Sequence, residues 1–291
     1  MATVTNLTQY FVQGALKGYV SKNAPLTEFS YVVDSAAKLN DIVRVPYTVA
    51  SSSLLFDYTS GYNTSTRGQI TGKPVTVDKI SYIPVTLTDS DWSRLTPEVL
   101  TKLGESAGER LAGDVISASF AANVASFGNS STYAGTSFTG SAALADLDRK
   151  ANDLHWPDSG RVMLINPAMK QALLSNTSLT NAFAFGEPVA VEGQFRSKVF
   201  GFVPYTVTTT LGGLSGFAAT PNALCHVFGT HNPPDSALSQ LSEFTVATDP
   251  ATGLVVSMKG WYDQVHATTV RILETMWGSA VGDAAAGIKI A

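Results

Sequence analysis

The residues best suited to chemistry are one cysteine and two histidines that stand close together late in the chain. Cys225 is the only cysteine, and it is followed directly by His226 and shortly afterwards by His231. Thiolate and imidazole groups bind zinc, but a zinc site needs three or four ligands, and no fourth residue stands at a suitable spacing. The other histidines, His155 and His266, are scattered. We therefore predict structural roles for the histidines and no metal site.

Two other motifs resemble functional sequences without matching them. The run from Gly68 to Lys73 is one residue shorter than a phosphate loop, and Pro74 stands where a magnesium-binding Ser or Thr would be. A nucleophilic serine would need the pattern Gly-x-Ser-x-Gly, and Ser215 lies in a near match only. These comparisons predict that the chain is not an enzyme and uses no cofactor.

Three carboxylates stand at or just before the start of the longest predicted helix: Asp89, Asp91 and Glu98. A pair of carboxylates can perform acid–base catalysis when their surroundings separate their pKa values. Negative charges also stabilise the N-terminal end of a helix, where they offset its dipole. We predict that these three carboxylates are caps and dipole partners.

The longest predicted helix covers residues 97–127, and the rest of the chain is organised around it. Thr96 is a good N-cap, Pro97 suits the first helical position, and Gly128 ends the helix. Apolar residues recur at the spacing of one helical face: Leu100, Leu103, Ala107, Leu111, Val115, Ala118 and Ala122. This pattern predicts a core helix.

Three glycines interrupt this helix at positions 104, 108 and 113. Each weakens a helix by up to ~1 kcal/mol relative to alanine. We expect such glycines to be tolerated where another backbone packs closely against them.

Residues 1–30 carry a weak helical stripe that contains Phe11 and Tyr19, and Pro25 is predicted to end it. The stripe is short and interrupted by glycines. We predict an arm that docks on another surface, with a frayed terminus as the alternative.

Residues 40–88 predict an extended β-hairpin. The segment 41–49 leads outward, 75–77 and 83–87 lead back with partial alternation, and the polar run from Thr59 to Gly68 lies between them. Such a hairpin has too few apolar residues for a core of its own, and an isolated hairpin is marginal in water. We expect it to pack on another subunit; folding back onto its own domain is the alternative.

The second half of the chain alternates short helices and strands. A helix is predicted after Ser141, then the strand Arg161–Ile165, and then a helix that starts at Asn166-Pro167. Further β segments follow, up to a short closing strand near Ile288. The order predicts an α+β fold rather than a doubly wound sheet.

The composition favours a surface covered by other protein. Charged residues make up 14% of the 291 residues, compared with about 25% in a typical soluble domain. The net charge is −4, and no basic run predicts tight nucleic-acid binding. We also expect no signal peptide and no membrane-spanning helix, because no stretch is continuously apolar over the necessary length.

The order of these elements resembles the major capsid protein of tailed bacteriophages, which has the Hong Kong ninety-seven-type capsid fold. The resemblance rests on the arm, the hairpin from Pro46 to Leu87, the long helix and the strand–Asn-Pro–helix unit. It also rests on three short sequences: Gly193-Gln-Phe195 with Lys198-Val-Phe-Gly201-Phe-Val-Pro204, Trp277-Gly278, and Ala286-Gly287-Ile288. Together these pieces cover nearly the whole chain.

The resemblance implies a division of the chain and a role in a shell. The implied segments are an N-terminal arm (1–30), an extended β-hairpin loop (31–90), a spine helix with a peripheral domain (91–155), an axial domain (156–230), a peripheral β segment (231–280) and a C-terminal axial strand (281–291). The implied function is a self-assembling icosahedral capsid around double-stranded DNA, in a virion assembled in the host cytoplasm.

The implied partners are further copies of the chain, in hexamers and pentamers, with separate scaffolding, portal and decoration proteins. DNA would be enclosed without sequence-specific contacts, and no membrane is involved. The residues expected at contacts between subunits are Phe11, Tyr19, Tyr58, Tyr62, Arg67 and Lys73. Two alternatives remain: an encapsulin-type compartment shell, and a soluble β-rich enzyme or binding protein.

Overall fold

The computed structural model of the chain describes residues 4–34, 37–49, 56–59, 61, 69–92, 94–131, 142–175, 198–207, 213–234, 238 and 240–291. These residues form a six-stranded sheet, a five-stranded sheet and a separate two-stranded hairpin. The α-helices are α1 (Val4–Phe29), α2 (Asp89–Trp92), α3 (Pro97–Asn123), α4 (Ala142–Asp153) and α5 (Pro167–Ser175). The strands are β1 (Ser30–Asp34), β2 (Ile42–Val49), β3 (Gln69–Thr76), β4 (Lys79–Thr88), β5 (Asn129–Ser131), β6 (Val162–Ile165), β7 (Val203–Thr206), β8 (Gly216–Ala219), β9 (Leu224–Gly229), β10 (Glu243–Thr248), β11 (Val255–Asp263), β12 (Thr268–Val281) and β13 (Gly287–Ile290). The predicted α+β class is confirmed.

The six-stranded sheet is built around β12, which has 14 residues. β12 pairs along one edge with β4 and along the other with β11 and then β9, always antiparallel. β10 extends the sheet beyond β11, and β1 lies parallel to β9. Leu273 and Trp277 of β12 are fully buried against the helices. Trp277 Nε1 donates to Ser81 Oγ at 3.1 Å, so the indole is satisfied within the core.

α1 and α3 pack against each other along the inner face of this sheet, and the contact between them is made by backbone. Gly14 and Gly18 of α1 lie against the backbone of α3, while Gly104 and Gly108 of α3 lie against the backbone of α1. A Cβ atom at any of the four would overlap a carbonyl oxygen of the other helix. The four-residue spacing puts each glycine pair on one helical face. The expected close backbone packing is therefore confirmed at positions 104 and 108.

The N-terminal segment is a helix of this core, which corrects the predicted arm. α1 has 26 residues and continues through Pro25 to Phe29. Leu26 and Phe29 are fully buried, and their burial offsets the backbone hydrogen bond that Pro25 cannot donate. The prediction that Pro25 ends the helix is wrong, and described residues 4–29 pack on their own subunit. The glycines that interrupt the stripe are contact residues rather than breaks.

The five-stranded sheet has the order β5–β13–β8–β6–β7 and packs with α4 and α5 around a second apolar core. The predicted strand–Asn-Pro–helix unit is β6 followed by α5. Asn166 Oδ1 accepts a hydrogen bond from Met169 N at 2.7 Å, so Asn166 caps α5 and Pro167 is its first residue. Just before β6, the buried Arg161 Nη1 donates to Asp148 Oδ1 of α4 at 2.8 Å. This ion pair ties α4 to the start of the sheet.

The sheets divide the chain differently from the predicted boundaries. The hairpin consists of β2 and β3 alone, paired from Ile42–Thr76 to Val49–Gln69. β1 and β4, at the two ends of the predicted segment 31–90, belong to the six-stranded sheet. β4 leaves the hairpin because its alternating residues Ile83 and Val85 pack against the main core. β9, in the predicted segment 156–230, also joins the six-stranded sheet, whereas β13 joins the five-stranded one.

Candidate functional site

The three residues considered for a metal site lie in different surroundings. Cys225 and His226 are neighbours on β9, so their side chains lie on opposite faces of the sheet. Cys225 packs in an apolar cluster beneath the hairpin, whereas His226 Nε2 lies 2.6 Å from Ser119 Oγ of α3. His231 Nδ1 lies 3.0 Å from Lys259 Nζ. Within the described ranges, no three His, Cys, Asp or Glu residues lie close enough to hold a metal ion.

His226 joins α3 to the sheet as a neutral, fully buried imidazole. Burial lowers its pKa to about 3, and the positive charge of Lys79 is the smaller cause. The ring also stacks on Phe228, with ring centroids 6.2 Å apart. Nearby, Asn123 Nδ2 of α3 donates to Ser279 Oγ of β12 at 2.8 Å. These contacts agree with the structural role predicted for this histidine.

An ion cluster on the outer face of the six-stranded sheet holds the segment that follows β9. Lys259 Nζ lies 2.5 Å from Glu274 Oε1, and Ser257 Oγ donates to the same carboxylate at 3.3 Å. His231 Nδ1 lies 3.5 Å from that oxygen. The side chains of Lys259 and Glu274 are 13% and 7% exposed. The opposite charges are paired, so the cluster anchors His231 rather than presenting a reactive group.

The three carboxylates predicted as caps and dipole partners have different contacts. Asp91 Oδ2 accepts from the backbone N of Thr88 at 3.0 Å and from its hydroxyl at 2.6 Å, and these bonds lower the pKa of Asp91. Asp89 accepts from Tyr262 Oη at 3.0 Å. Glu98 lies in the first turn of α3. Asp91 therefore caps the short helix α2 rather than the long helix, Glu98 lies at the N-terminal end of α3 as expected of a dipole partner, and Asp89 ties α2 to β11.

The base of the hairpin is anchored on the outer face of the six-stranded sheet. Val45, Val75 and Val77 are fully buried there in a cluster that includes Cys225, Val227 and Met276. Gly278 of β12 lets the chain cross closely, because a Cβ at this position would overlap the carbonyl oxygen of Thr76. The base is therefore fixed to the body of the subunit.

Farther along, the described hairpin residues are exposed. Tyr58 is 96% exposed, and its ring packs edge-to-face on Phe56, which is 47% exposed, at 5.2 Å between centroids. Lys73, on β3, is half-buried. Tyr62 and Arg67, also predicted at subunit contacts, lie outside the described residues. The ring of Tyr58 therefore faces solvent, with the half-exposed Phe56 beside it.

The other two predicted contact residues are not on the surface. Phe11 and Tyr19 have no exposed area, because α1 buries them in the main core. They cannot contact a neighbouring subunit while α1 is packed, and their prediction is corrected accordingly. The stripe was read correctly as apolar, but the surface it covers belongs to its own subunit.

Sequence reasoning missed three exposed apolar residues elsewhere. Ile42 is 64% exposed at the start of the hairpin, Tyr82 is 61% exposed on β4, and Val265 is 87% exposed in the turn between β11 and β12. The alternation of β4 carried a signal for Tyr82, since this residue lies on the face opposite the buried Ile83 and Val85 side.

A cleft of about 180 Å³ opens between α1, α3 and β7. Its lining residues are Ser21, Lys22, Ala24, Pro25, Gly113, Ile116, Tyr205, Thr206 and Val207. The lining contains one cation and no carboxylate to act with it, so the cleft lacks the paired groups of an acid–base site.

Among the described helices, none combines the length and apolar character needed to cross a membrane.

The chain is similar in three dimensions to phage capsid proteins. A chain of the capsid structure of cyanophage P-SCSP1u superposes with a TM-score of 0.58 at 14% identity, over 90% of this chain and 85% of that one. A chain of the mature capsid of bacteriophage PhiM1 gives a TM-score of 0.55 at 11% identity, with coverage of 90% and 85%. A chain of a virus-like particle from Pyrococcus furiosus gives 0.56 at 14% identity, with coverage of 97% and 98%.

These similarities establish the fold: the chain has the fold of phage capsid proteins, as the resemblance in sequence order implied. No family model and no curated protein matches the chain.

Proposed function

We propose that the chain is a structural subunit of a protein shell, and specifically the major capsid protein of a tailed phage. The observation that carries this proposal is the capsid fold, which extends over 90% of the chain in comparisons with two phage capsids. Fold alone does not define function. The surface of the subunit supplies the second support.

That surface fits a protein covered by copies of itself. The hairpin is anchored at its base and carries the exposed pair Phe56 and Tyr58 beyond it. Exposed aromatic rings are typical anchors of protein interfaces, which also contain few charged residues at their centre. The low charge content of 14% agrees with a surface of this kind.

In this proposal, copies of the chain form the hexamers and pentamers of an icosahedral shell that encloses double-stranded DNA. α3 is the spine, the six-stranded sheet is the core of the peripheral domain, and the five-stranded sheet is the core of the axial domain. The hairpin contacts a neighbouring subunit through Tyr58, Tyr62, Arg67 and Lys73. Scaffolding, portal and decoration proteins are separate chains, and assembly takes place in the host cytoplasm.

The first experiment measures particle size. Purified protein is examined by light scattering across protein and salt concentration, and the largest species is imaged by negative-stain microscopy. Closed shells or ring-shaped capsomers are the expected result. A monomer at every condition would contradict the proposal and favour the soluble enzyme or binding-protein alternative.

A second candidate is a compartment shell that encloses protein rather than a genome. It is favoured by the virus-like particle from Pyrococcus furiosus, of whose chain 98% is covered, compared with 85% of each phage capsid chain described above. Particles purified from the native source separate the two candidates. Nuclease-protected DNA inside supports the phage capsid, whereas a co-purifying enzyme and no nucleic acid supports the compartment.

The hairpin gives a more local test. Deletion of residues 59–68 should leave a folded subunit that assembles poorly, because the base of the hairpin is held independently by the buried Val45 and Val75. A control replaces the same residues with Gly and Ser at constant length, which separates loss of contact from loss of reach. If the deletion unfolds the subunit, the intersubunit role of the hairpin is wrong.

A further inference from the structure

The helix pair α1–α3 contacts the six-stranded sheet through a buried ion pair at the start of α1. Thr8 Oγ1 donates to Glu243 Oε1 of β10 at 2.7 Å. Arg271 Nη2 of β12 donates to Thr8 Oγ1 at 3.0 Å and to Glu243 Oε2 at 3.1 Å. The side chains of Arg271 and Glu243 are 1% and 16% exposed. One residue of α1 is thus bonded to two strands of the sheet.

Further buried polar contacts lie along the same interface. Tyr19 and Asn23 have no exposed area, and burial raises the pKa of the Tyr19 phenol while Thr275 and Asn23 beside it lower it. α3 adds the two contacts described above. The hydrogen-bonded pairs are Ser119 with His226 and Asn123 with Ser279, whereas the polar side-chain atoms of Tyr19 and Asn23 are buried with no hydrogen-bond partner among the described residues.

Stability does not account for these contacts. Replacement of a buried ion pair by apolar residues of similar volume is often neutral or stabilising, because taking charges out of water is unfavourable. Directional contacts nevertheless specify one position, whereas apolar contacts tolerate sliding. The phenylalanine and leucine side chains of the main core alone would hold the helices on the sheet without defining where.

The two helices α1 and α3 are expected to shift together, as one rigid body, if their position on the sheet changes. The four glycines bring the two backbones into direct contact, which leaves no room for one helix to move into the other. α1 has 26 residues. A helix of that length spans about 40 Å, so a tilt of ~5° at one end displaces the other by ~3 Å. An error of that size in each subunit would accumulate around a closed shell.

We propose that the buried polar contacts between the α1–α3 pair and the six-stranded sheet fix the pair in a single position on the sheet. Their role is to make the subunit geometry accurate enough for a regular shell. The inference rests on the proposed function, since it concerns subunits that assemble with copies of themselves. It assigns a role in assembly to residues that lie inside the subunit.

The test uses two apolar variants and a matched control. The first variant combines Thr8→Val, Glu243→Leu and Arg271→Met, and the second combines Asn123→Leu and Ser279→Ala, which removes the contact between α3 and β12. The control combines Lys17→Met and Glu105→Leu, which removes an exposed ion pair between α1 and α3, 2.7 Å long, and leaves the sheet interface unchanged. Each protein is measured for melting temperature and for the fraction of closed, regular shells in micrographs.

We expect each variant to have a melting temperature equal to or above that of the wild type. We also expect about tenfold fewer regular shells, which corresponds to a loss of ~1.4 kcal/mol in the preference of the helix pair for its native position over neighbouring positions. The control should match the wild type in both measurements. Two folded variants that assemble normally would overturn this inference alone, and so would a marked fall in melting temperature in both. A wild-type chain that never assembles would overturn the proposed function and the inference together.

Discussion

His226 should make the stability of the subunit depend on pH in a defined window. Burial lowers its pKa from 6.5 to about 3. Between these values the unfolded chain binds a proton that the folded chain does not. The free energy of unfolding therefore falls as the pH decreases through the window and is fully retained above it. One pKa unit corresponds to about 1.36 kcal/mol, so the full effect is on the order of 5 kcal/mol.

The assay is urea unfolding followed by tryptophan fluorescence at intervals from pH 7.5 to pH 4. The comparison protein is His226→Gln, because a glutamine amide can keep the contact with Ser119 but does not titrate. Between pH 6.5 and pH 4, the wild type should lose roughly 3 kcal/mol more than the variant. Asp91, Asp146 and Asp263, whose pKa values are lowered by hydrogen bonds, are present in both proteins and cancel.

Parallel profiles for the two proteins would refute this reasoning. They would mean that His226 is protonated in the folded state or that its site admits water. A wild type more stable at pH 4 than at pH 7 would also contradict the sign derived from burial. The thiol of Cys225 offers no alternative source for the effect, since burial raises its pKa above the range tested.

Three other predictions address the packing of the subunit and its surface. Gly108→Val should destabilise the fold by ~3 kcal/mol or more, because the new side chain meets the backbone of Ala15; urea unfolding measures this, and Ala122→Gly on the exposed face should cost only about 1 kcal/mol. Arg161→Met should lower stability by about 2–4 kcal/mol in thermal unfolding through loss of several hydrogen bonds, with an unchanged melting temperature as the contrary result. Tyr58→Ser should change stability by no more than about 0.5 kcal/mol while reducing assembly, and normal shells would exclude Tyr58 from the interface.

Local signals in the sequence predicted several elements correctly. Thr96 and Pro97 mark the start of α3, and the apolar spacing that follows marks most of its buried face. Leu100 and Leu111 are fully buried, whereas Ala122, predicted on the same face, is exposed near the end of the helix. Asn166 caps α5 as the Asn-Pro pair implied. Caps and periodicity act within a few residues, so they can be recognised without knowledge of the fold.

The candidate contact surface was predicted only in part, because local patterns do not show how elements pack on one another. The polar, turn-rich composition of residues 59–68 indicated a hairpin extending from the body, and the structure exposes Tyr58 beside it. Exposure of Val265 depends on how the β11–β12 turn sits relative to other elements. No local pattern distinguishes it from a buried valine.

What the sequence by itself determined is the set of elements with strong local codes: the long capped helix, the outgoing hairpin strand β2 and the α+β class. What only the tertiary structure decided is which surfaces those elements bury. α1 runs through Pro25 because Leu26 and Phe29 are buried in the main core, and Gly14 and Gly18 are contacts because α3 lies against them. β4 belongs to β12 rather than to the hairpin. Burial depends on two surfaces that come together. These surfaces are far apart in the sequence, so the local pattern of either segment cannot predict which residues become buried.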